Sequence, residues 1–120
     1  MNILLVDDTK TDRLIMSTYL SQMGHTVTLG ENGRQAVELY KEIQPDLLVM
    51  DVIMPEMDGY QATEQIRKAG HTLPIIAMSA DETDETRALA FEAGMNEYLM
   101  KPARVESIKQ LLIKHFSSTI

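Results

Sequence analysis

The segment LLVMDVIMPEMDG (Leu47–Gly59) joins an apolar run directly to a carboxylate. Its first four residues are continuously apolar, which is typical of a strand covered on both faces in a parallel sheet. The run ends at Asp51, which is followed by two more apolar residues and the Met54–Pro55 turn. Because burial of an ionised carboxylate without a partner costs several kcal/mol, we expect a partner beside Asp51.

The composition is that of one folded domain of 120 residues, 44% hydrophobic and 24% charged. The 11 Lys and Arg against 18 Asp and Glu give a net charge of −7, which disfavours direct nucleic-acid binding. The absence of cysteine excludes a disulfide framework and thiolate chemistry. The first apolar run is too short for a signal peptide, and no segment reaches the roughly 20 apolar residues of a membrane span. We therefore expect a cytoplasmic protein without membrane insertion.

Short apolar runs alternate with helical patterns along the chain. The continuous runs Ile3–Val6, Leu47–Met50 and Ile75–Met78 predict central strands, and the mixed segments His25–Leu29 and Glu97–Met100 predict edge strands. Helices are predicted at residues 10–23, 33–43, 60–69, 83–93 and 103–116, the second capped by Asn32 with Gln35 completing a capping-box variant. This alternation predicts a doubly wound α/β sandwich, in which ligands bind beyond the carboxyl ends of the strands.

Polar residues follow the predicted strands at that edge. A single acid there is usually a helix cap or a solvated turn, but Asp7, Asp8 and Asp51 together would repel one another unless a cation joined them. Carboxylates without His or Cys suit Mg²⁺ or Mn²⁺ better than zinc. A hydroxyl, Ser79, and an ammonium, Lys101, follow two further strands, although either alone would indicate only a cap or a solvated surface.

Four motifs, VDD (6–8), LLVMDVIMPEMDG (47–59), MSA (78–80) and KP (101–102), resemble the receiver domain of bacterial two-component response regulators in order and spacing. Each motif alone is weak evidence for this chemotaxis-regulator-like family, but the four together are specific to it. The resemblance covers about residues 2–116 and is consistent with a single receiver domain over residues 1–120. It implies a flavodoxin-like (βα)5 fold with a five-stranded parallel sheet in the order 2-1-3-4-5.

The resemblance implies a metal-dependent phosphoacceptor site. Asp51 is the implied phosphoacceptor, and Asp8, Asp51 and the backbone carbonyl of Ile53 are the implied ligands of Mg²⁺ or Mn²⁺, with Asp7 assisting through water. Lys101 is the implied contact to the phosphoryl oxygen, and its bond to Pro102 is implied to be cis.

The resemblance also implies a switch. Ser79 is the implied switch hydroxyl and Tyr98 the rotating aromatic, although spacing alone explains Tyr98 equally well as a packed edge-strand tyrosine. The side chains two residues beyond Asp51 and Ser79 are implied to set the rate of phosphate loss, and they are Ile53 and Asp81. Because Ile53 cannot position water, we expect slow loss.

By this resemblance the function is signalling, not enzymatic, although the domain would assist its own phosphorylation and dephosphorylation. A histidine kinase or a histidine phosphotransfer protein would supply the phosphoryl group. The surface of the fourth and fifth helices and the last strand would then control an output domain or partner protein. A phosphorylation-dependent dimer is compatible with this function, and direct binding to nucleic acid is not expected.

Other interpretations fit the sequence less well. A dehalogenase-like, Mg²⁺-dependent phosphatase needs a second acid where Ile53 stands, and a flavin-binding flavodoxin would not place DDTKTD (7–12) beside a phosphate. A pseudo-receiver that acts only as a scaffold is disfavoured because every active-site residue type is present. After Phe116 only SSTI follows, so the chain is either a stand-alone regulator or a receiver cut from a longer protein, and we favour the second.

Overall fold

The computed structural model describes residues 1–54, 56–81 and 83–116. Pro55 of the predicted Met54–Pro55 turn and the last four residues of the predicted 1–120 domain lie outside these ranges. Strands and helices alternate along the described chain in the order β1 (Asn2–Val6), α1 (Lys10–Gln22), β2 (Thr26–Gly30), α2 (Gly33–Ile43), β3 (Leu47–Asp51), α3 (Gly59–Lys68), β4 (Ile75–Ser79), α4 (Asp84–Ala93), β5 (Glu97–Met100) and α5 (Val105–Phe116).

These strands form one parallel sheet in the order β2-β1-β3-β4-β5, which confirms the predicted fold, strand order and edge strands. The register aligns the carboxyl ends of neighbouring strands: Val6 pairs with Met50, Asp51 with Met78, and Ser79 with Met100. Residues that follow these pairs therefore emerge at one edge of the sheet. The order reverses between β1 and β3, where ligands bind in open α/β sheets.

Two hydrophobic cores cover the two faces of the sheet, because successive residues of a strand point to opposite faces. On one face, alternate strand residues pack with α2, α3 and α4 through Leu4, Val6, Leu48, Met50, Ala77, Ala36, Tyr40, Ala62, Ile66 and Ala90. On the other, the intervening residues pack with α1 and α5 through Ile3, Leu5, Leu47, Val49, Met78, Met16, Leu20, Ile108 and Leu112. The continuous apolar runs of the sequence are explained by this double burial.

Capping interactions set where the helices begin. Asn32 caps α2 as predicted, accepting a hydrogen bond from the Gln35 N–H at 2.8 Å, but the Gln35 side chain accepts from the N–H of Glu31 rather than from that of Asn32. A complete capping box between Asp58 and Gln61 starts α3 at Gly59, one residue before the predicted start. Boundary shifts of one or two residues elsewhere do not alter the order of elements.

Two further features bear on the predictions. The Lys101–Pro102 peptide bond is cis, as predicted. Among the helices of the described residues, none is long and apolar enough to cross a bilayer.

Gly59 lets α3 start directly against the end of β3. Its N–H donates to the carbonyl of Val52 at 3.0 Å, and a Cβ placed on Gly59 would collide with the backbone carbonyl oxygen of Asp51. A backbone atom in a sheet cannot move aside as a side chain can. Glycine is therefore required here by close approach of two backbone segments, and this contact fixes the chain around Asp51.

We expect Gly59→Ala to destabilise the fold by about 1–3 kcal/mol, because overpacking against backbone forces a shift of either α3 or the β3 end. Urea unfolding measures the change. Gly30→Ala is the control, since a Cβ there would meet side-chain methyl carbons of Val6 and Leu39 at 3.2 Å or more. A loss for Gly59→Ala no larger than that for Gly30→Ala would contradict the close-approach argument.

Candidate functional site

Acidic side chains from two neighbouring strands meet at the carboxyl edge of the sheet. Asp7 follows β1 and Asp51 ends β3, and with Asp8 each offers a carboxylate oxygen, all within 4.8 Å of one another. Asp7 is fully buried and Asp51 is 6% exposed, whereas Asp8 faces solvent. The register of adjacent parallel strands therefore creates the cluster that the sequence predicted.

The cationic partner of these acids is the half-buried Lys101, which follows β5. Its ammonium lies 2.8 Å from Asp7 Oδ2 and 2.9 Å from Asp51 Oδ2. A third carboxylate, from Asp12 in the first turn of α1, lies 3.2 Å from the same nitrogen. The first two contacts bring predicted site residues together, and the third was missed from the sequence. Only a weak indication of the Asp12 contact was present in the sequence, because an acid in the first turn of a helix is common for its favourable interaction with the helix dipole.

Backbone N–H groups hold the other oxygens of the two buried acids. The N–H of Thr9 donates to Asp7 Oδ1 at 2.9 Å, and the N–H of Ile53 donates to Asp51 Oδ1 at 3.2 Å. Each acid therefore has one oxygen fixed by its own loop and the other directed to Lys101. The side chain of Ile53 is exposed and makes no part of this arrangement among the described contacts.

The charges at this edge do not balance. Burial raises the pKa of Asp51 above its ordinary 3.8; contacts with Lys101 and the N–H of Ile53 oppose the rise, and repulsion from Asp7 adds to it. Burial alone would lower the pKa of Lys101, but hydrogen bonds and attraction to Asp7 and Asp51 raise it instead. The acids Asp7, Asp8 and Asp51 outnumber the one ammonium beside them, so a second cation would be favoured here.

The donor set fits a hard divalent ion. Carboxylate oxygens from Asp7, Asp8 and Asp51 could ligate it, and neither His nor Cys belongs to this cluster of the described residues. Oxygen-only ligands of this kind suit Mg²⁺ or Mn²⁺. The role of the Ile53 carbonyl as a further ligand stays a prediction.

The predicted switch residues meet at the backbone of Asp81. The Ser79 hydroxyl, 1% exposed, accepts a hydrogen bond from the Asp81 N–H at 3.1 Å. The hydroxyl of Tyr98, on β5, donates to the Asp81 carbonyl at 2.6 Å and lies 3.2 Å from the Thr86 hydroxyl on α4. The sequence interpretation assigned Asp81 a side-chain role, whereas the structure shows its peptide groups linking the two predicted switch residues. The sequence interpretation did not identify Thr86, because only the packing of α4 beside β5 brings its hydroxyl next to that of Tyr98.

Comparison with known proteins identifies the family of this chain. Residues 3–113 match the family profile described as "Response regulator receiver domain". The response regulator MprA of Mycolicibacterium vanbaalenii is 36% identical over 108 residues, which cover 90% of this chain and 47% of that protein. The chain thus spans about half the length of the MprA relatives that it matches.

Solved structures share the fold. The receiver domain of sensor histidine kinase PA1611 from Pseudomonas aeruginosa, which has a magnesium ion coordinated in its active-site cleft, is 35% identical, with a TM-score of 0.89 and coverage of 97% of each chain. A chain in the Saccharomyces cerevisiae co-crystal of the phosphotransfer protein Ypd1 and the Ssk1 receiver domain is 25% identical, with a TM-score of 0.88 and coverage of 96% of this chain and 88% of that one. The family match over most of the chain, together with this fold, shows that the chain belongs to the response regulator receiver domain family.

Proposed function

We propose that Asp51 accepts the phosphoryl group in this receiver domain and that a phosphohistidine is the donor. The observation that carries the proposal is the contact of the Asp51 carboxylate with the Lys101 ammonium at 2.9 Å, beside Asp7 and Asp8. An acid held at a strand end next to a cation and further acids is positioned for attack on phosphorus. Burial raises the pKa of Asp51, with repulsion from Asp7 adding to the rise, and a carboxylate perturbed in this way beside a specific charged partner is typical of a functional site.

The chemistry is a displacement at phosphorus. A carboxylate oxygen of Asp51 forms the new P–O bond as the P–N bond of the phosphohistidine breaks, and the released imidazole takes up a proton. Phosphoryl transfer depends on positioning and on neutralising the equatorial oxygens, and Lys101 supplies one fixed positive charge for them. Loss of phosphate follows when water attacks the acyl phosphate. By this proposal the domain assists both steps on itself without turning over an external substrate.

We assign the metal site to Asp8 and Asp51, with the backbone carbonyl of Ile53, and to Asp7 through a water molecule. When bound, Mg²⁺ or Mn²⁺ supplies positive charge to a phosphoryl oxygen and offsets repulsion between that group and the acids. The magnesium ion in the related PA1611 receiver supports this assignment. The oxygen-only donors of this chain support it independently.

We propose that the switch runs from Ser79 to Tyr98 through Asp81. The Ser79 oxygen accepts a hydrogen bond from the Asp81 N–H, so when the hydroxyl moves to donate its O–H to a phosphoryl oxygen, this bond lengthens or the Asp81 backbone moves with it. The Asp81 peptide groups also hold Tyr98, so movement of this loop changes the position of that tyrosine. The change reaches the surface of α4, β5 and α5, which we propose as the output surface.

The similarities to known proteins support proposals for the partners of this domain. The similarity to a chain in the Ypd1–Ssk1 co-crystal supports a histidine phosphotransfer protein or a histidine kinase as donor. Because the chain spans about half of its MprA relatives, we propose that it is the receiver of a longer protein and acts on an output domain or partner through α4, β5 and α5. The single-domain extent of residues 1–120, the phosphorylation-dependent dimer and the cytoplasmic location stay predictions.

Labelling with acetyl phosphate tests the proposed acceptor. We expect the protein to gain one phosphoryl mass in Mg²⁺ and none after chelation, because the acids at the site repel an anionic donor without a metal. Asp51→Asn should show no gain, since an amide is not a nucleophile for phosphorus. Intact-mass spectrometry reads both results. A gain that persists in Asp51→Asn would contradict the assignment of Asp51.

We expect Asp51→Asn to be more stable than the wild type in chelator near neutral pH, by on the order of 1 kcal/mol, because it removes a buried excess charge. The pKa of Asp51 is raised in the folded state, so its ionisation reduces stability as the pH rises through that pKa. The difference should therefore shrink as the pH is lowered towards 3.8. Urea unfolding over this pH range measures it.

Glu64→Gln, an exposed change on α3, is the control and should leave stability unchanged. Adding Mg²⁺ should stabilise the wild type more than Asp51→Asn, because binding to the folded state alone raises its stability by mass action. Equal Mg²⁺ responses, or a wild type that is the more stable protein in chelator, would refute the charge-excess account of the site.

Ile53 provides a separate test of phosphate loss. Its side chain is 64% exposed beside Asp51 and cannot hydrogen-bond an attacking water. We expect Ile53→Asn to lose phosphate faster, roughly three- to tenfold, because the amide can hydrogen-bond and position the attacking water. The measurement is the decay of the labelled protein after donor removal, with Ile53→Val as a control that keeps the side chain apolar. Decay in Ile53→Asn that is no faster than wild type would end the argument.

A further inference from the structure

Asp12 is an acid that the proposed phosphoacceptor function does not use. It lies in the first turn of α1, and its Oδ2 is 3.2 Å from the ammonium of Lys101. An acid in a first turn is favourable with the helix dipole, but that effect requires no contact with a lysine after the last strand. The contact joins residues 89 positions apart in the sequence, and it places a third carboxylate on the cation that should meet the phosphoryl group.

Three carboxylates share the ammonium of Lys101. It donates hydrogen bonds to Asp12 at 3.2 Å and to Asp51 at 2.9 Å, and the third carboxylate, Asp7, lies 2.8 Å away as an ion pair. A phosphoryl oxygen on Asp51 can be bound by Lys101 only if one of these acids gives up its share. The arrangement therefore contains a competition for one cation.

Exposure indicates which acid is released. The side chain of Asp7 is 1% exposed and fixed by the Thr9 N–H, and Asp51 is the proposed nucleophile itself. The side chain of Asp12 is 43% exposed, and its contact with Lys101 is the longest of the three. A cleft of about 130 Å³, lined by Asp12, Lys101 and Tyr19 among others, gives the Asp12 carboxylate room to turn away.

We propose that Asp12 is a positioning residue that competes with the incoming phosphoryl group for Lys101 and so restrains phosphorylation of Asp51. The inference rests on the proposed function. Asp12 acts in two ways: it occupies a donor of Lys101, and its charge opposes the approach of an anion. It does not touch the reacting atoms, and its removal leaves Asp7 and Asp51 as partners of Lys101.

The charge dependence separates this role from a merely structural one. A residue that only held α1 in place would change the rate with every small phosphodonor equally. Competition by a carboxylate should slow labelling by a dianionic donor more than labelling by a monoanionic one, since the repulsion scales with the charge of the donor. It should also weaken as salt screens a partly exposed charge.

The test compares labelling rates of the wild type and Asp12→Asn in Mg²⁺ with two probes, acetyl phosphate, which is dianionic, and phosphoramidate, which is monoanionic. We expect Asp12→Asn to be labelled roughly three- to tenfold faster than wild type by acetyl phosphate at low salt. The acceleration should be smaller with phosphoramidate and should shrink at high salt. Intact mass against time measures each rate.

Glu31→Gln is the matched control. Glu31 follows β2 at the same edge of the sheet, and its carboxylate is 3.5 Å from Arg13 rather than on Lys101 in the described contacts. This variant removes one negative charge from the region without releasing a donor of Lys101. Its labelling rate should therefore differ from that of the wild type by less than twofold, which is roughly the effect of a screened surface charge.

The outcomes separate the two proposals. If the wild type is not labelled at Asp51, the proposed function fails. If the wild type is labelled but Asp12→Asn is no faster, or is accelerated equally with both donors or only as much as Glu31→Gln, the role of Asp12 fails while the proposed function stands. Circular dichroism of Asp12→Asn checks that the fold is kept. If this variant does not fold, Asp12→Ser takes its place in the same comparison.

Discussion

Negative charge at the carboxyl edge of the sheet exceeds what one lysine can balance, and the other features of the site follow from this excess. The acids cannot disperse, because Asp7 and Asp51 are fixed by adjacent parallel strands and by the N–H groups of their own loops. Lys101 is drawn in from β5 and held by them. Burial raises the pKa of Asp51 and repulsion from Asp7 adds to the rise, and the uncompensated negative charge makes a hard divalent ion favourable there. Stability is therefore given up at the position where chemistry is proposed.

The same contacts explain how acids can lie together at a buried strand edge. Lys101 supplies an attraction that offsets the repulsion between the buried carboxylates of Asp7 and Asp51. Lys101, the cation proposed to bind a phosphoryl oxygen, therefore already has carboxylate partners. Under that proposal a phosphoryl oxygen exchanges with one of these partners instead of meeting an unpaired ammonium.

Much of this edge could be predicted from the sequence because it depends on strand periodicity and register. Continuous apolar runs marked the strands buried on both faces, and each run ended within one residue of its strand, so the positions of Asp51 and Ser79 followed. Asp12 and Thr86 could not be found in the same way. Their roles depend on the rotation of α1 and α4 about their axes and on contacts with β5 or the residue after it, and these are set by packing of the whole chain.

The site also shows why a side-chain motif does not by itself describe a switch. Asp81 was identified by its position two residues beyond Ser79, yet its N–H and carbonyl, which every non-proline residue carries, make the link to Ser79 and Tyr98. The N–H and the carbonyl of Asp81 belong to successive peptide units that meet at its Cα, so a movement at either hydrogen bond reaches the other through the φ and ψ angles of this one residue. The coupling is therefore a property of the loop conformation after β4. The proposed coupling therefore does not depend on the identity of the Asp81 side chain.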